Sequence, residues 1–165
     1  MVERSRADFD DAFRAEYPDI VRVVAPIVGS VADAEGLVQD AFVKAFARWG
    51  RISRYDRPGA WIQRVAIRDA VRFARRSPGP EAAQGPSGDP VAGIADQVDL
   101  QRALLTLSPR QRACIVLHHL ADWPVSDVAD ALGCAEATVR VHLHRGRQAL
   151  ATTLRPEPQE TTDGR

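Results

Sequence analysis

The clearest pattern in the chain is a pair of amphipathic segments near its C-terminal end. The first segment ends at Gly133 and has an apolar stripe formed by Val128, Ala129 and Leu132. The second begins near Glu136 and has apolar residues at positions i, i+4 and i+11, namely Val139, Leu143 and Leu150. This spacing is typical of helices with one buried face. Two such helices joined by a tight glycine-containing turn predict a helix-turn-helix, whose second helix enters the DNA major groove.

The N-terminal segment also has helical spacing. For residues 7–28 we expect a helix that restarts at Pro18 and is kinked or ended by Pro26, with Gly29 closing it. β-branched residues between 20 and 28 also permit a strand. The helical spacing of the flanking residues favours the helix.

A second N-terminal helix is predicted to begin at Ser30 or Val31 and to continue to residue 50. One broad face is apolar and consists of Leu37, Val38, Ala41, Phe42, Ala45, Phe46 and Trp49. The opposite face passes through Gly36, Asp40, Val43 and Ala47. A solvated surface explains this second face, and so does docking against a helix of a partner.

A basic stretch follows. Residues 50–58 are predicted to form a loop with Tyr55 in its middle, and residues 59–76 form a helix. Four arginines of this helix are spaced four residues apart, at positions 64, 68, 72 and 76. Like charges at this spacing destabilise an isolated helix, which favours a phosphate-facing role over a merely solvated face.

A linker rich in proline, glycine and serine, residues 77–90, separates these helices from the C-terminal ones. A helix resumes over residues 91–107, stops at Ser108, and restarts at Pro109 before the helix-turn-helix. The predicted fold class is therefore all-α, with two small helical modules joined by a Pro/Gly-rich linker. The C-terminal module contains the helix-turn-helix.

The net charge of the chain is zero, which by itself argues against a nucleic-acid binder. The charge is unevenly distributed, however. Residues 44–76 carry a net charge of +8 and residues 100–155 a net charge of +3, and the flanking blocks are acidic. Two basic blocks alternating with acidic ones indicate two phosphate-facing surfaces and one partner-facing surface.

Other protein classes find little support in the sequence. No apolar run approaches the ~20 residues that span a bilayer, and residues 1–11 lack a signal-peptide core, so we expect a cytoplasmic protein with no membrane segment of its own. Cys114 and Cys134 are expected to be reduced. The histidines match no zinc spacing, and no pairing of a nucleophile with a base is evident, so we expect no metal, no cofactor and no enzymatic activity.

Three stretches together resemble the extracytoplasmic-function (ECF) sigma factors of bacterial RNA polymerase. DAEGLVQDAFVKAFARW (33–49) looks like the polymerase-docking helix of that family, and AWIQRVAIRDAVRFARR (60–76) looks like its promoter-melting helix. The stretch 104–150 is similar to the family's C-terminal module, including its helix-turn-helix. The resemblance implies binding to core RNA polymerase and to promoter DNA, both duplex and melted. Members of the family often have an anti-sigma factor as a further partner.

The resemblance also implies a division into domains. Residues 1–76 are similar to sigma region 2, which docks on the polymerase and recognises and melts the minus-10 element. Residues 77–97 are expected to be a flexible linker. Residues 98–155 are similar to sigma region 4, which reads the minus-35 element, and residues 156–165 are expected to be a disordered tail.

Candidate contacts with the minus-35 duplex lie on the second helix of the helix-turn-helix. With Val139 and Leu143 facing inward, an ideal helix turns other side chains outward. Arginines there could bind guanine edges or phosphates, and a valine could contact a thymine methyl group. The candidate residues are Thr138, Arg140, Val141, His144, Arg145 and Arg147.

Candidate contacts with the melted minus-10 strand combine flat side chains for bases with cations for phosphates. The loop supplies Arg51, Ser53, Arg54, Tyr55 and Arg57, and the following helix supplies Trp61, Arg64, Arg68, Arg72, Arg75 and Arg76. For Trp61 a core position against Phe42 or Phe46 is favoured over base stacking. The candidate residues for polymerase docking are Gly36, Gln39, Asp40 and Val43.

Several residues depart from the family pattern. Gly36 replaces an acidic residue, and Arg68 stands where the family usually has asparagine. Pro124 and Ala135 replace residues that normally cap the two helices of the helix-turn-helix, and a missing N-cap costs about 1 kcal/mol. Val141 stands where a serine is usual. These departures leave the promoter sequence open but not the general role.

The linker limits how far the modules can separate. Residues 77–97 reach at most about 70 Å when extended, whereas about sixteen base pairs of promoter span ~55 Å. A hypothesis follows that the free modules pack together and cover DNA-binding surfaces.

The alternative function is a helix-turn-helix regulator without polymerase docking, which leaves the arginine row and the docking-like helix unexplained.

Overall fold

The computed structural model describes residues 2–77 and 92–154, with side chains described for 6–77 and 97–154. All regular secondary structure in these residues is helical, which confirms the all-α prediction. The helices of the first module are α1 (Val2–Val28), α2 (Val31–Phe46), α3 (Trp49–Ile52) and α4 (Pro58–Arg76). Those of the second are α5 (Ala92–Leu105), α6 (Pro109–Ile115, continuing as a π-helical turn over Val116–Leu120), α7 (Val125–Leu132) and α8 (Glu136–Thr153).

Helix α1 is continuous, so the predicted restart at Pro18 and the strand alternative for residues 20–28 are both wrong. Pro18 and Pro26 lie inside the helix. Each proline removes one backbone donor. This loss is outweighed because the same helix face buries Ile20, Val24 and Ile27 completely.

Helix α2 begins as predicted but ends early. The Ser30 side chain caps it by accepting a hydrogen bond from the Asp33 backbone N–H at 3.2 Å. The helix ends at Phe46 instead of continuing to residue 50, and the predicted 50–58 loop shortens to residues 53–57. The chain changes direction here because Trp49 and Ile52, on the short helix α3, both reach the core.

Helices α1, α2 and α4 form the first packing unit, and α6, α7 and α8 form the second. The two units share one continuous hydrophobic core, because α1 packs against α5 and α6 while α4 packs against α6 and α7. An aromatic cluster lies where the N-terminal part of α1 meets the C-terminal part of α2. There Phe9 packs edge-on against Phe42, Phe46 and Trp49.

The helix predicted for residues 91–107 corresponds to α5 (Ala92–Leu105), which begins within the residues 77–97 assigned to the linker. The remaining linker residues 78–91 and the predicted disordered tail lie outside the described residues. Within residues 2–77 and 92–154, no helix is long and apolar enough to cross a membrane.

Candidate nucleic-acid and polymerase interfaces

The orientation of α8 is fixed by its buried face. Val139 and Leu143 are buried, and Gly146 lies so close to α6 that an added Cβ would be 2.9 Å from Cγ1 of Ile115. This packing turns the opposite face outward. All six predicted minus-35 residues are exposed on α8, with Arg140 and Arg147 flanking the outward face: Thr138, Arg140, Val141, His144, Arg145 and Arg147.

Arg140 and His142, both on α8, are less available for contact with DNA than their positions in the sequence suggest. Arg140 Nη2 donates to Oε2 of Glu136 at 3.0 Å, one turn earlier on the same helix. His142 is half-buried, and burial, with Arg110 and Arg145 nearby, lowers its pKa. His142 is therefore neutral near pH 7. No group of three metal-ligating side chains occurs among the described residues.

The helix-turn-helix lacks side-chain caps at both N-termini. Neither Pro124 before α7 nor Ala135 before α8 offers a capping oxygen. Gly133 ends α7 in the left-handed conformation (φ 66°), which suits a residue without a Cβ. The turn geometry therefore forms without the usual capping hydrogen bonds.

The predicted minus-10 loop and the arginines of α4 form a second basic surface. Exposed members of the predicted set are Arg51, Ser53, Arg54, Tyr55, Arg57, Arg64, Arg68, Arg72, Arg75 and Arg76. Trp61 is half-buried and packs against the core, while Phe42 finds its aromatic partners on α1. Part of the indole thus remains accessible beside the loop.

The arginine row of α4 is not uniform. Arg72 Nη1 donates to Oδ1 of Asp69 at 2.9 Å, and Lys44 Nζ donates to the other oxygen of the same carboxylate at 2.5 Å. Arg68 turns toward α7 and donates to the backbone carbonyls of Ala131 and Asp130. The four arginines at positions 64, 68, 72 and 76 therefore differ in their surroundings, because Arg68 and Arg72 have protein partners.

The predicted docking residues Gly36, Gln39, Asp40 and Val43 are all exposed on α2. Gln39 is held by a weak hydrogen bond of 3.4 Å from its Nε2 to the hydroxyl of Tyr17. Val43 is 67% exposed, and it is the most apolar part of this face.

The sequence pattern missed a groove beside this docking face. Phe46 was expected to be buried, but it is 56% exposed. It lies with Val43 in a shallow groove of about 370 Å³ that is completed by Phe9 and Phe13 of α1.

Comparisons with known proteins identify the family to which the two modules are similar. The family profile described as Sigma-70 region 2 matches residues 12–77, and the profile described as Sigma-70, region 4 matches residues 97–150. The ECF RNA polymerase sigma factor SigM of Mycobacterium tuberculosis is 31% identical over 158 residues, covering 93% of this chain and 80% of SigM. The RNA polymerase sigma-E factor of Streptomyces coelicolor is 28% identical, covering 89% of this chain and 86% of that protein.

A solved structure shares the fold. The sigma factor RpoE of Bartonella quintana, in complex with the anti-sigma factor NepR, superposes with a TM-score of 0.69 at 23% identity. The match covers 92% of this chain and 99% of RpoE. The 31% identity with SigM over 80% of that protein, together with the matches to both sigma-70 region profiles, establishes that this chain belongs to the ECF family of bacterial RNA polymerase sigma factors.

Proposed function

We propose that this chain directs core RNA polymerase to promoters by dividing recognition between its modules. Helix α8 reads the minus-35 duplex, and the 53–57 loop with α4 captures the unpaired minus-10 strand. The observation that carries the proposal is that both predicted DNA surfaces are basic and exposed, and that each lies in the module matching the corresponding sigma region.

Strand capture follows from the chemistry of the first module. Tyr55 offers a flat face for stacking a base, and the surrounding arginines offer charge to the sugar–phosphate backbone. Stacking on an aromatic residue contributes about 1–3 kcal/mol per base. We therefore expect Tyr55→Ala to weaken binding of a single-stranded promoter oligonucleotide by about tenfold or more, while duplex binding through α8 stays unchanged.

Polymerase docking is proposed for the exposed face of α2 and the adjoining groove. Apolar side chains exposed in a groove are typical of interaction sites, and Val43 is the most exposed of them. Introducing a carboxylate at this position places a charge where the partner would remove water.

The docking proposal is tested by measuring the affinity of fluorescently labelled protein for core polymerase. We expect Val43→Asp to lower this affinity at least tenfold. Val31→Asp is the matched control, because Val31 is 62% exposed on the first turn of the same helix but on a different face. Equal affinity of Val43→Asp and wild type for core polymerase would place docking elsewhere.

Three further expectations complete the proposal. The chain catalyses no reaction itself, because promoter recognition needs only binding and the polymerase forms the phosphodiester bonds. It acts in the cytoplasm, where bacterial polymerase transcribes DNA. An anti-sigma partner is proposed on the basis of the RpoE–NepR complex, whose sigma subunit shares this fold.

A further inference from the structure

The loop over residues 53–57 is held at both of its ends. Before the loop, Ile52 of α3 is buried in the core, and its carbonyl accepts a hydrogen bond from the Tyr55 N–H at 3.0 Å. After the loop, the Arg57 carbonyl accepts from the Ala60 N–H at 3.1 Å, in the first turn of α4. The position of the loop therefore depends on the core at one end and on the start of α4 at the other.

The first turn of α4 lacks a side-chain cap of its own. Arg57 stands at the N-cap position without a capping hydrogen bond, and the first turn contains no acidic residue. The first N–H groups of a helix have no partners within the helix and lie at the positive end of its dipole. A negative charge from another part of the protein would stabilise this turn.

Glu16 of α1 supplies a carboxylate at this place. A Cβ added at Gly59, in the first turn of α4, would lie 2.6 Å and 2.7 Å from the two carboxylate oxygens of Glu16. Gly59 is buried, and Glu16 is half-buried. The carboxylate therefore occupies the space that a side chain at position 59 would need, and a glycine permits this approach.

The part of α1 that carries Glu16 is fixed by packing. The ring of the next residue, Tyr17, stacks on Phe13 with the centroids 4.8 Å apart. One turn further along the helix, Ile20 is completely buried. The backbone of Glu16 thus has a defined position relative to the core, and its carboxylate is a fixed reference for the start of α4.

We propose that Glu16 is a positioning residue for minus-10 recognition, because its carboxylate holds the start of α4 and thereby orients Tyr55 and Arg57 in the loop. This inference rests on the proposed function. Selection of a base requires a precisely placed pocket, whereas attraction between exposed arginines and phosphates tolerates small displacements. Loss of the Glu16 charge should therefore reduce discrimination between strands more than it reduces affinity for any strand.

The test compares two labelled strands bound to the holoenzyme that this protein forms with core polymerase. One is the non-template strand of a promoter that the holoenzyme transcribes, and the other has the same composition with its minus-10 element scrambled. Fluorescence anisotropy gives both dissociation constants, and their ratio measures discrimination. Glu16→Gln removes the charge at nearly constant size, and Asp11→Asn is the matched control at an exposed position of the same helix.

A second variant displaces the carboxylate without removing it. Gly59→Ala adds a methyl group that meets the end of the flexible Glu16 side chain, so the side chain can turn away while α4 still forms. Glu16→Gln and Gly59→Ala remove the same contact, and the double variant should therefore lose no more discrimination than either single variant. Urea denaturation of each variant measures stability separately.

We expect Glu16→Gln and Gly59→Ala each to lower the discrimination ratio about three- to fivefold, with the affinity for the scrambled strand and the ratio of Asp11→Asn unchanged. A folded Glu16→Gln that discriminates as well as wild type, even if it is less stable, would overturn the positioning role. Additive losses in the double variant would also overturn it. A wild-type holoenzyme that does not distinguish the two strands would overturn the proposed strand capture itself.

Discussion

Arg112 is the buried charged side chain of the described residues, at 7% exposure. Its guanidinium donates to four carbonyls, those of Ile27, Leu104, Leu105 and Leu107, at 2.7–3.3 Å. Burial lowers its pKa from the usual value, but an arginine stays protonated in proteins. The charge is tolerated because these carbonyls replace its water shell.

Removing this charge should be strongly destabilising. Arg112→Met leaves buried carbonyls without donors, so we expect the free energy of unfolding to fall by about 2–4 kcal/mol, measured by urea denaturation. Arg102→Met is the control, because Arg102 is exposed and lies 3.9 Å from Asp99 in a weak ion pair. Identical urea midpoints for Arg112→Met and wild type would contradict this role.

The two cysteines should differ in reactivity. Cys114 is completely buried, and burial raises the pKa of its thiol to about 12, with Cys134 adding to the shift. Little thiolate is therefore present at Cys114 at pH 8. We expect a chromogenic thiol reagent to modify one cysteine of the native protein rapidly, and both cysteines in urea. The rapid phase should vanish in Cys134→Ser, and rapid modification of both thiols in native wild type would refute the assignment.

At the scale of elements, the N-terminus of α8 has an unused capping position. The backbone at Ala135 (φ −71°, ψ 150°) nearly matches that at Ser108 (φ −59°, ψ 151°), where the serine side chain accepts from the Gln111 N–H. We expect Ala135→Ser to stabilise the protein by about 0.5–1 kcal/mol, seen as a higher melting temperature. Ala137→Ser, inside the first turn, should bring no gain. A fall in stability with Ala135→Ser would show that the turn cannot accommodate a cap.

Contact between α6 and α8 depends on a helical glycine. An alanine Cβ at Gly146 would lie 2.9 Å from Ile115, whereas one at Gly36 of α2 meets nothing within 4 Å. Gly36→Ala should therefore stabilise by up to about 1 kcal/mol through helix propensity. Gly146→Ala should destabilise by about 1–3 kcal/mol through overpacking. Chemical denaturation of both variants tests this contrast, and a gain in stability at Gly146 would contradict it.

Apolar spacing was sufficient to predict α7 and α8 because each helix buries a single regular stripe. It failed at Pro18, because proline is a local signal and the fully buried Ile20 and Val24 outweigh the hydrogen bond that Pro18 removes. It also failed at Trp49, which continues the helical stripe in sequence but lies on a separate short helix. Local sequence patterns thus predict the helices, whereas tertiary packing determines where one helix ends and the next begins.

At the scale of the whole molecule, the candidate surfaces were predictable because their charge is concentrated in local blocks. The partner of Arg68 was not predictable, because residues 131 and 130 are more than sixty positions away and meet it only through module packing. The exposure of Phe46 was missed for the same reason, since burial depends on what covers the helix. Long-range packing, which the spacing of residues in the sequence does not show, determines which of these arginines have protein partners.

The alternating charge of the chain agrees with this packing. The acidic wall contributed by Asp127 and Asp130 faces the basic surface near Arg57 and Arg64 across one cleft. A net charge of zero is therefore compatible with DNA binding, because the basic residues are concentrated in local surfaces.

The most direct test of the central claim is in vitro transcription with bacterial core RNA polymerase on a set of genomic promoter fragments. The account predicts discrete transcripts from a limited number of templates, absent with core polymerase alone and strongly reduced for Val43→Asp and Tyr55→Ala. Failure of the wild-type protein to stimulate transcription above core polymerase alone on any template would contradict it.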